Sequence, residues 1–527
     1  MNARALLIRG AVLLPCLLVA CSTRPAETAR NRWYEARTAR FQIWTDGDPD
    51  VARDLIADLE RFHQVMIART NTEEHEAAPP LRIVVTKDRH SYVSLSGDRR
   101  SLGIFVARPR GNYAIVDGSP LGGRAAQGLT VRSVLFHEYT HYLMAASNAR
   151  VPSWYNEGFA TYMEATVFRA DGSYTLGCPP RYRSAWQRGR SWVPMERVFS
   201  SASVSDQGRD SEMSDRYAQA WYAVHYFNSD PARREQLARY LAAWGDGTAV
   251  EDAVQGAFGM STAQLDGLLQ NHAVKQRFRC SSIVPATPLA VPQIELRPIN
   301  EGDAHRHIGE LVLATRGPTE AAFEVLGQAA KLQPNDAPTL LALGRAHWLR
   351  AATGQGDVEA ELISAERYAQ QANARASGTA EGLLLEGQLG SLRTKRLWEQ
   401  KQPFAEPLLA TRKALRQAIR KDETLAEAYF ALGSTYLIDD NGSDEAIVAL
   451  EAAAYLAPLG TEIALALGKV HLQRKSALQA LPAFEYVLRW THDDAQRKAA
   501  QSAIDQLRAD ASSTPPPAPL PVEPAQE

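Results

Sequence analysis

Residues 131–143 read Val-Arg-Ser-Val-Leu-Phe-His137-Glu138-Tyr139-Thr140-His141-Tyr-Leu, and residues 154–162 read Trp-Tyr-Asn-Glu157-Gly158-Phe-Ala-Thr-Tyr. A helix advances 3.6 residues per turn, so His137 and His141 stack on one face and can aim a ring nitrogen each at a single cation. Val131, Val134, Leu135, Tyr139, Tyr142 and Leu143 supply the apolar positions of an amphipathic helix around that pair. Glu138 flanks the same spot, and Glu157, at the start of a second helix one short connection later, offers a third ligand. Two neutral imidazoles and a carboxylate suit a borderline-soft ion such as zinc. A catalytic site keeps only three protein ligands so that water can take the fourth position. One Zn2+ per chain is therefore expected on His137, His141 and Glu157, with Glu138 as the base that moves a proton from water to a departing amine. The competing reading is a chance His-Glu-x-x-His, which the apolar periodicity and the second motif weigh against.

Together the two motifs resemble those of gluzincin metallopeptidases of the peptidase-MA type. The likeness is greatest to bacterial families of unassigned function that pair His-Glu-Tyr-x-His with Trp-x-x-Glu-Gly-x-Ala-x-Tyr. Asn156–Tyr162 is also similar to the segment carrying the third zinc ligand in M1 aminopeptidases. The resemblance spans residues 33–275 and implies an α+β zincin-like domain, with Glu157 on zinc and Glu138 as general base. M1 enzymes place an oxyanion-stabilising tyrosine about sixty residues past that ligand, and Tyr217 stands at this distance. Tyr217 also shares helical spacing with Trp221, Val224 and Phe227, so packing is its alternative role; Tyr222 and His225 are weaker candidates. The connection from His141 to Glu157 is shorter than in M1 enzymes, and no Gly-x-Met-Glu-Asn-type segment precedes the motif. An endopeptidase is thus expected rather than an aminopeptidase.

A metal-bound histidine donates its other ring nitrogen to an acceptor. Glu164, two turns beyond Glu157 on the same face, is the candidate, with simple solvent exposure as its alternative. Leu81–Thr86, Gly103–Val106 and Tyr113–Asp117 read as strands, the last two separated by Arg-Pro-Arg-Gly. In the resembling enzymes the last strand before the metal helix is the edge on which an extended peptide lies. This assigns substrate binding to Tyr113, Ala114, Ile115 and Val116 by strand addition.

The chain has 527 residues, 45% of them hydrophobic and 22% charged, with a net charge of -2, which is globular stock for about three domains. No basic block points to nucleic acid. At the N-terminus Arg4 and Arg9 precede an apolar run, Ala11 to Ala20, of signal-peptide length. It ends Leu18-Val19-Ala20-Cys21, which resembles a bacterial lipobox; that resemblance implies lipidation at Cys21, and Ser22 favours the outer membrane, facing the periplasm. An ordinary secretory signal is the alternative. Export makes Cys178 and Cys280 a candidate disulfide, two buried thiols being the other possibility.

Residues 283–300 are Pro-rich and read as a linker, and helices dominate from residue 301 to 510. Leu-Ala-Leu-Gly344, Phe430-Ala-Leu-Gly433 and Leu-Ala-Leu-Gly468 recur, the last two 35 residues apart, close to the 34-residue period of tetratricopeptide repeats. The expected organisation is a signal over 1–21, a peptidase domain over 22–282, the linker, an all-α tetratricopeptide-like solenoid over 301–510, and a disordered tail over 511–527. Expected partners are a peptide or protein substrate, a protein bound by the repeats, and a membrane through the lipid anchor. The rival expectation is an interaction scaffold whose peptidase fold no longer turns over substrate.

Overall fold

The computed structural model describes residues 24–70, 79–99, 101–119, 130–147, 150–180, 192–200, 210–275, 278–439, 443–491 and 493–513. Cys21, the side chain of Tyr217 and the tail from residue 514 lie outside the described residues. The strands are β1 (Trp33–Arg37), β2 (Phe41–Thr45), β3 (Leu81–Thr86), β4 (Gly103–Arg108), β5 (Gly111–Asp117), β6 (Val167–Phe168), β7 (Tyr174–Leu176), β8 (Ser281–Ile283) and β9 (Glu295–Ile299). Six of them form a mixed sheet in the order β4-β5-β3-β2-β1-β9, in which β2, β3 and β5 are parallel; β6, β7 and β8 form a small second sheet.

Side chains alternate across a strand, and here both faces are covered. Phe41, Ile43, Leu81, Ile83, Val85, Ala114 and Val116 enter one core, with α2 (Pro49–Thr70) behind them. Trp33, Trp44, Val84, Tyr113 and Ile115 enter a second core on the opposite face, under α1 (Pro25–Ala29) and α3 (Arg89–Ser96). This double burial corrects the substrate-strand assignment. Tyr113, Ala114, Ile115 and Val116 lie in β5, which is hydrogen-bonded to β3 on one side and β4 on the other and is buried along its whole length. Among the described residues the sheet ends on that side at β4, all of whose residues are half-buried.

The first sheet face also carries α4 (Val131–Ala146), α5 (Ser153–Glu164), α6 (Met195–Ser200), α7 (Asp210–Asn228), α8 (Pro231–Gly245), α9 (Val250–Phe258) and α10 (Thr262–Lys275). The stretch expected to be a linker is instead partly sheet. β9 pairs antiparallel with β1 from Trp33↔Ile299 to Arg37↔Glu295. Pro298 is tolerated because β9 is an outermost strand, where a missing N–H removes little from the ladder.

Beyond β9 the chain forms helical hairpins: α11 (Glu301–Arg316) with α12 (Glu320–Leu332), α13 (Ala337–Ala352) with α14 (Val358–Arg375), α15 (Ala380–Glu399) with α16 (Ala405–Lys421), α17 (Ala426–Thr435) with α18 (Asp444–Leu456), and α19 (Thr461–Gln473) with α20 (Ala477–Trp490), closed by α21 (Asp494–Ser513). A Cβ at Gly309, Gly387, Gly433 or Gly468 would come within 2.4–2.7 Å of Leu326, Leu415, Leu450 or Phe484 on the partner helix. These glycines thus let the two helices of four of the hairpins approach closely. This is a tetratricopeptide-like helical solenoid, an architecture that presents extended surfaces to other proteins. It is fused to the sheet at its start, where Ile308, Leu311, Val325 and Leu326 share a core with Trp33 and Ile115. No helix among the described residues is long and apolar enough to cross a membrane.

Candidate metal centre

α4 begins at a capping box in which Thr130 and Ser133 satisfy each other's backbone N–H groups, which fixes the helix start at Val131, six residues before His137. Phe136, Tyr139, Thr140 and Leu143 are buried beneath it, so His137, Glu138 and His141 are left on the half-buried side. α5 follows after a short connection and packs against α7 at Gly158. That contact presses Glu157, the preceding residue, toward the two histidines.

The three donor atoms converge. His137 Nε2 and His141 Nε2 are 3.2 Å apart, and Glu157 Oε2 lies 3.6 Å from the first and 3.5 Å from the second. Ligands held at zinc's usual 2.0–2.1 Å in a tetrahedron stand about 3.3 Å from one another, so the spacing fits one such ion. This is the one cluster of three or more metal-capable side chains among the described residues. His137 Nδ1 lies 2.8 Å from Glu164 Oε2, a carboxylate only 3% exposed, so the ring is oriented with Nε2 toward the other donors. His141 Nδ1 is buried with no hydrogen-bond partner among the described residues.

Burial by itself would lower the pKa of His137, but the carboxylates of Glu157, 3.6 Å away, and Glu164, hydrogen-bonded to the ring, outweigh it and raise the ring to about 10. Burial would likewise raise Glu157, yet the two imidazoles hold it well below the ordinary carboxylate range. The metal-free site is therefore a carboxylate clasping a protonated histidine, and a cation entering it takes that proton's place.

Other expected residues stand as follows. Tyr217 belongs to α7, with its side chain outside the described residues. Tyr222 is buried against Trp221 and Phe278, and His225 pairs with His272 at 3.0 Å and with the Arg279 carbonyl at 3.2 Å. Cys178 and Cys280 are joined in a disulfide with Cα atoms 4.5 Å apart, linking the segment after β7 to the start of β8. No local pattern in the sequence pointed to Trp490. This residue ends α20, and its ring centroid lies 6.4 Å from that of His141. A cavity of about 420 Å³ is lined by Ala145 and Ala146, at the end of α4, and by Tyr455, Leu467, Pro482 and Tyr486 of the repeats.

No known protein family matches this chain, and no curated protein does either. Solved structures similar to part of it are repeat proteins. A thermophilic TPR protein of Thermus thermophilus is 20% identical over 38% of this chain and 98% of its own, with a TM-score of 0.33. Pseudomonas aeruginosa pilF is 19% identical over 40% and 93%, at 0.28, and MamA is 20% identical over 40% and 98%, at 0.24. The repeat assignment here rests on the helix pairing itself.

Proposed function

We propose that this chain is a zinc-dependent peptidase, an endopeptidase by class, held by lipidated Cys21 at the periplasmic face of a bacterial outer membrane, with a repeat array that engages a protein partner or substrate. The observation that carries this reading is the 3.2–3.6 Å convergence of His137, His141 and Glu157 with Glu164 behind His137. Zinc bound there would act as a Lewis acid and bring a water molecule's pKa toward neutrality. Glu138, next to His137 on the same half-buried side, takes and delivers the proton. Tyr217 is assigned the hydrogen bond to the developing oxyanion. β4, the outermost strand on that side among the described residues, is the edge along which an extended peptide would lie, the role first assigned to β5.

The second reading, an interaction scaffold without turnover, is favoured by the solenoid, whose architecture serves protein recognition. Metal analysis and a peptide-library digest separate the two. Glu138→Gln should keep about one zinc per chain while turnover falls by roughly a hundredfold or more, whereas Glu157→Ala should lose the metal first. Zinc-loaded wild type that cleaves nothing, and is indistinguishable from Glu138→Gln, establishes the scaffold.

A further inference from the structure

β4 and β5 are joined by a tight turn, Pro109–Arg110, with Gly111 at φ 139°. The two arginines at this turn reach into the repeat array. Arg110, 13% exposed, places Nη1 2.6 Å from Glu381 of α15 and 3.4 Å from Glu427 of α17, and Nη2 3.8 Å from Glu310 of α11. Arg108 donates Nε to the Ala314 carbonyl of α11 at 3.0 Å and pairs with Glu462 of α19 at 3.2 Å. Glu427 is itself held by Arg345 of α13 at 3.2 Å and by Gln388 of α15 at 3.0 Å. First helices of four hairpins therefore converge on one turn, and the remaining first helix braces the central carboxylate. Successive hairpins can meet at a point only if the array curls around it, so the turn occupies the inner face of the solenoid.

We infer that this acidic inner face is a receptor filled in cis by the Arg108–Gly111 turn, and that the array thereby clamps β4, making Arg110 a positioning residue for a peptide laid along that strand. The clamp stands on the ion pairs alone; the substrate half rests on the peptidase reading above. A guanidinium matches several carboxylates at once through its fixed fork of donors, which a lysine would not reproduce.

The test uses the full chain loaded with zinc. Arg110→Met takes the partner from Glu381, whereas Glu427 keeps Arg345 and Gln388 and Glu310 keeps Arg306; the companion variant Arg110→Met/Glu381→Gln therefore removes one charge of each sign and keeps the judgement independent of folding. Hydrogen exchange of the β4 amides paired with β5 should accelerate about tenfold or more in the companion variant, with zinc content unchanged. KM for a fluorogenic casein substrate should rise about tenfold while kcat changes less than about twofold, the sign of lost positioning. Wild-type exchange rates at β4 in the folded companion overturn the clamp. Faster exchange with unaltered KM overturns the positioning role. Wild type that cleaves no casein removes the peptidase reading and the substrate half with it, and exchange alone then decides the clamp.

Discussion

Replacing Gly158 with alanine sets two effects of known sign against each other. The added Cβ would lie 2.5 Å from the Ala220 carbonyl oxygen, 2.7 Å from its carbon and 2.9 Å from Val224 Cγ2. Ordinary contact begins near 3.4 Å, so α5 and α7 must part by about 0.9 Å along that direction. Overpacking of this kind costs about 1–3 kcal/mol, and the obstacle is backbone, which favours the upper figure. Alanine in a helix interior returns about 1 kcal/mol. A net loss of about 2 kcal/mol is expected, measured by urea unfolding of the metal-free protein. The same displacement moves Glu157, and metal sites tolerate distance errors of only about 0.2 Å, so zinc affinity in chelator competition should fall about tenfold or more. Gly327 in α12 is the control, since nothing stands within 4 Å of its added Cβ and alanine there should stabilise by about 1 kcal/mol. Should Gly158→Ala behave like Gly327→Ala, with unchanged zinc affinity, the close approach of α5 to α7 does not position the ligand.

His137 is protonated at neutral pH in the metal-free site, its pKa being raised to about 10, while Glu157 is already ionised. Zinc loading near pH 7 should therefore release about one proton and tighten as pH rises, seen as heats that vary with buffer ionisation enthalpy; buffer-independent heats contradict this. Cys178→Ser/Cys280→Ser opens a sequence separation of 102 residues and should lower stability by about 4–5 kcal/mol on the chain-entropy account. An unfolding midpoint equal to oxidised wild type argues against it. Cys21→Ser should move the protein from the membrane to the soluble periplasmic fraction, and unaltered fractionation excludes the lipid anchor.

The convergence of His137, His141 and Glu157 was legible because its parts are local: two histidines one turn apart, a glutamate one connection later, and Glu164 two turns beyond it. The recurrent glycines were legible for the same reason: Gly433 and Gly468 mark close approaches within their own hairpins, while Gly344 packs closest against Leu385 of the next one. Strand order was not. β5 and β4 are both short and apolar enough to read as strands, and which of them forms the edge is decided by pairing with β3, far away in sequence. β9 was hidden by Pro298, a breaker signal that an outermost strand absorbs. Arg110 meets carboxylates 271 and 317 residues further on, and Trp490 meets a histidine on a distant element, separations over which local periodicity carries no information.

The solenoid leaves the sheet domain at Ile308 and Leu311 and comes back to it, for Leu459 is buried in the core shared with α4 and Arg150 pairs with Glu485 at 2.7 Å. It is a hoop rather than an arm. A hoop cannot swing, and its ends cannot fray independently, because loosening either joint puts the other under the same load. Melting should then proceed as one event across the sheet-bearing and repeat halves instead of two separate ones. Deleting the repeats should therefore destabilise the sheet-bearing half as well, because Trp490, whose ring centroid lies 6.4 Å from that of His141, leaves with them.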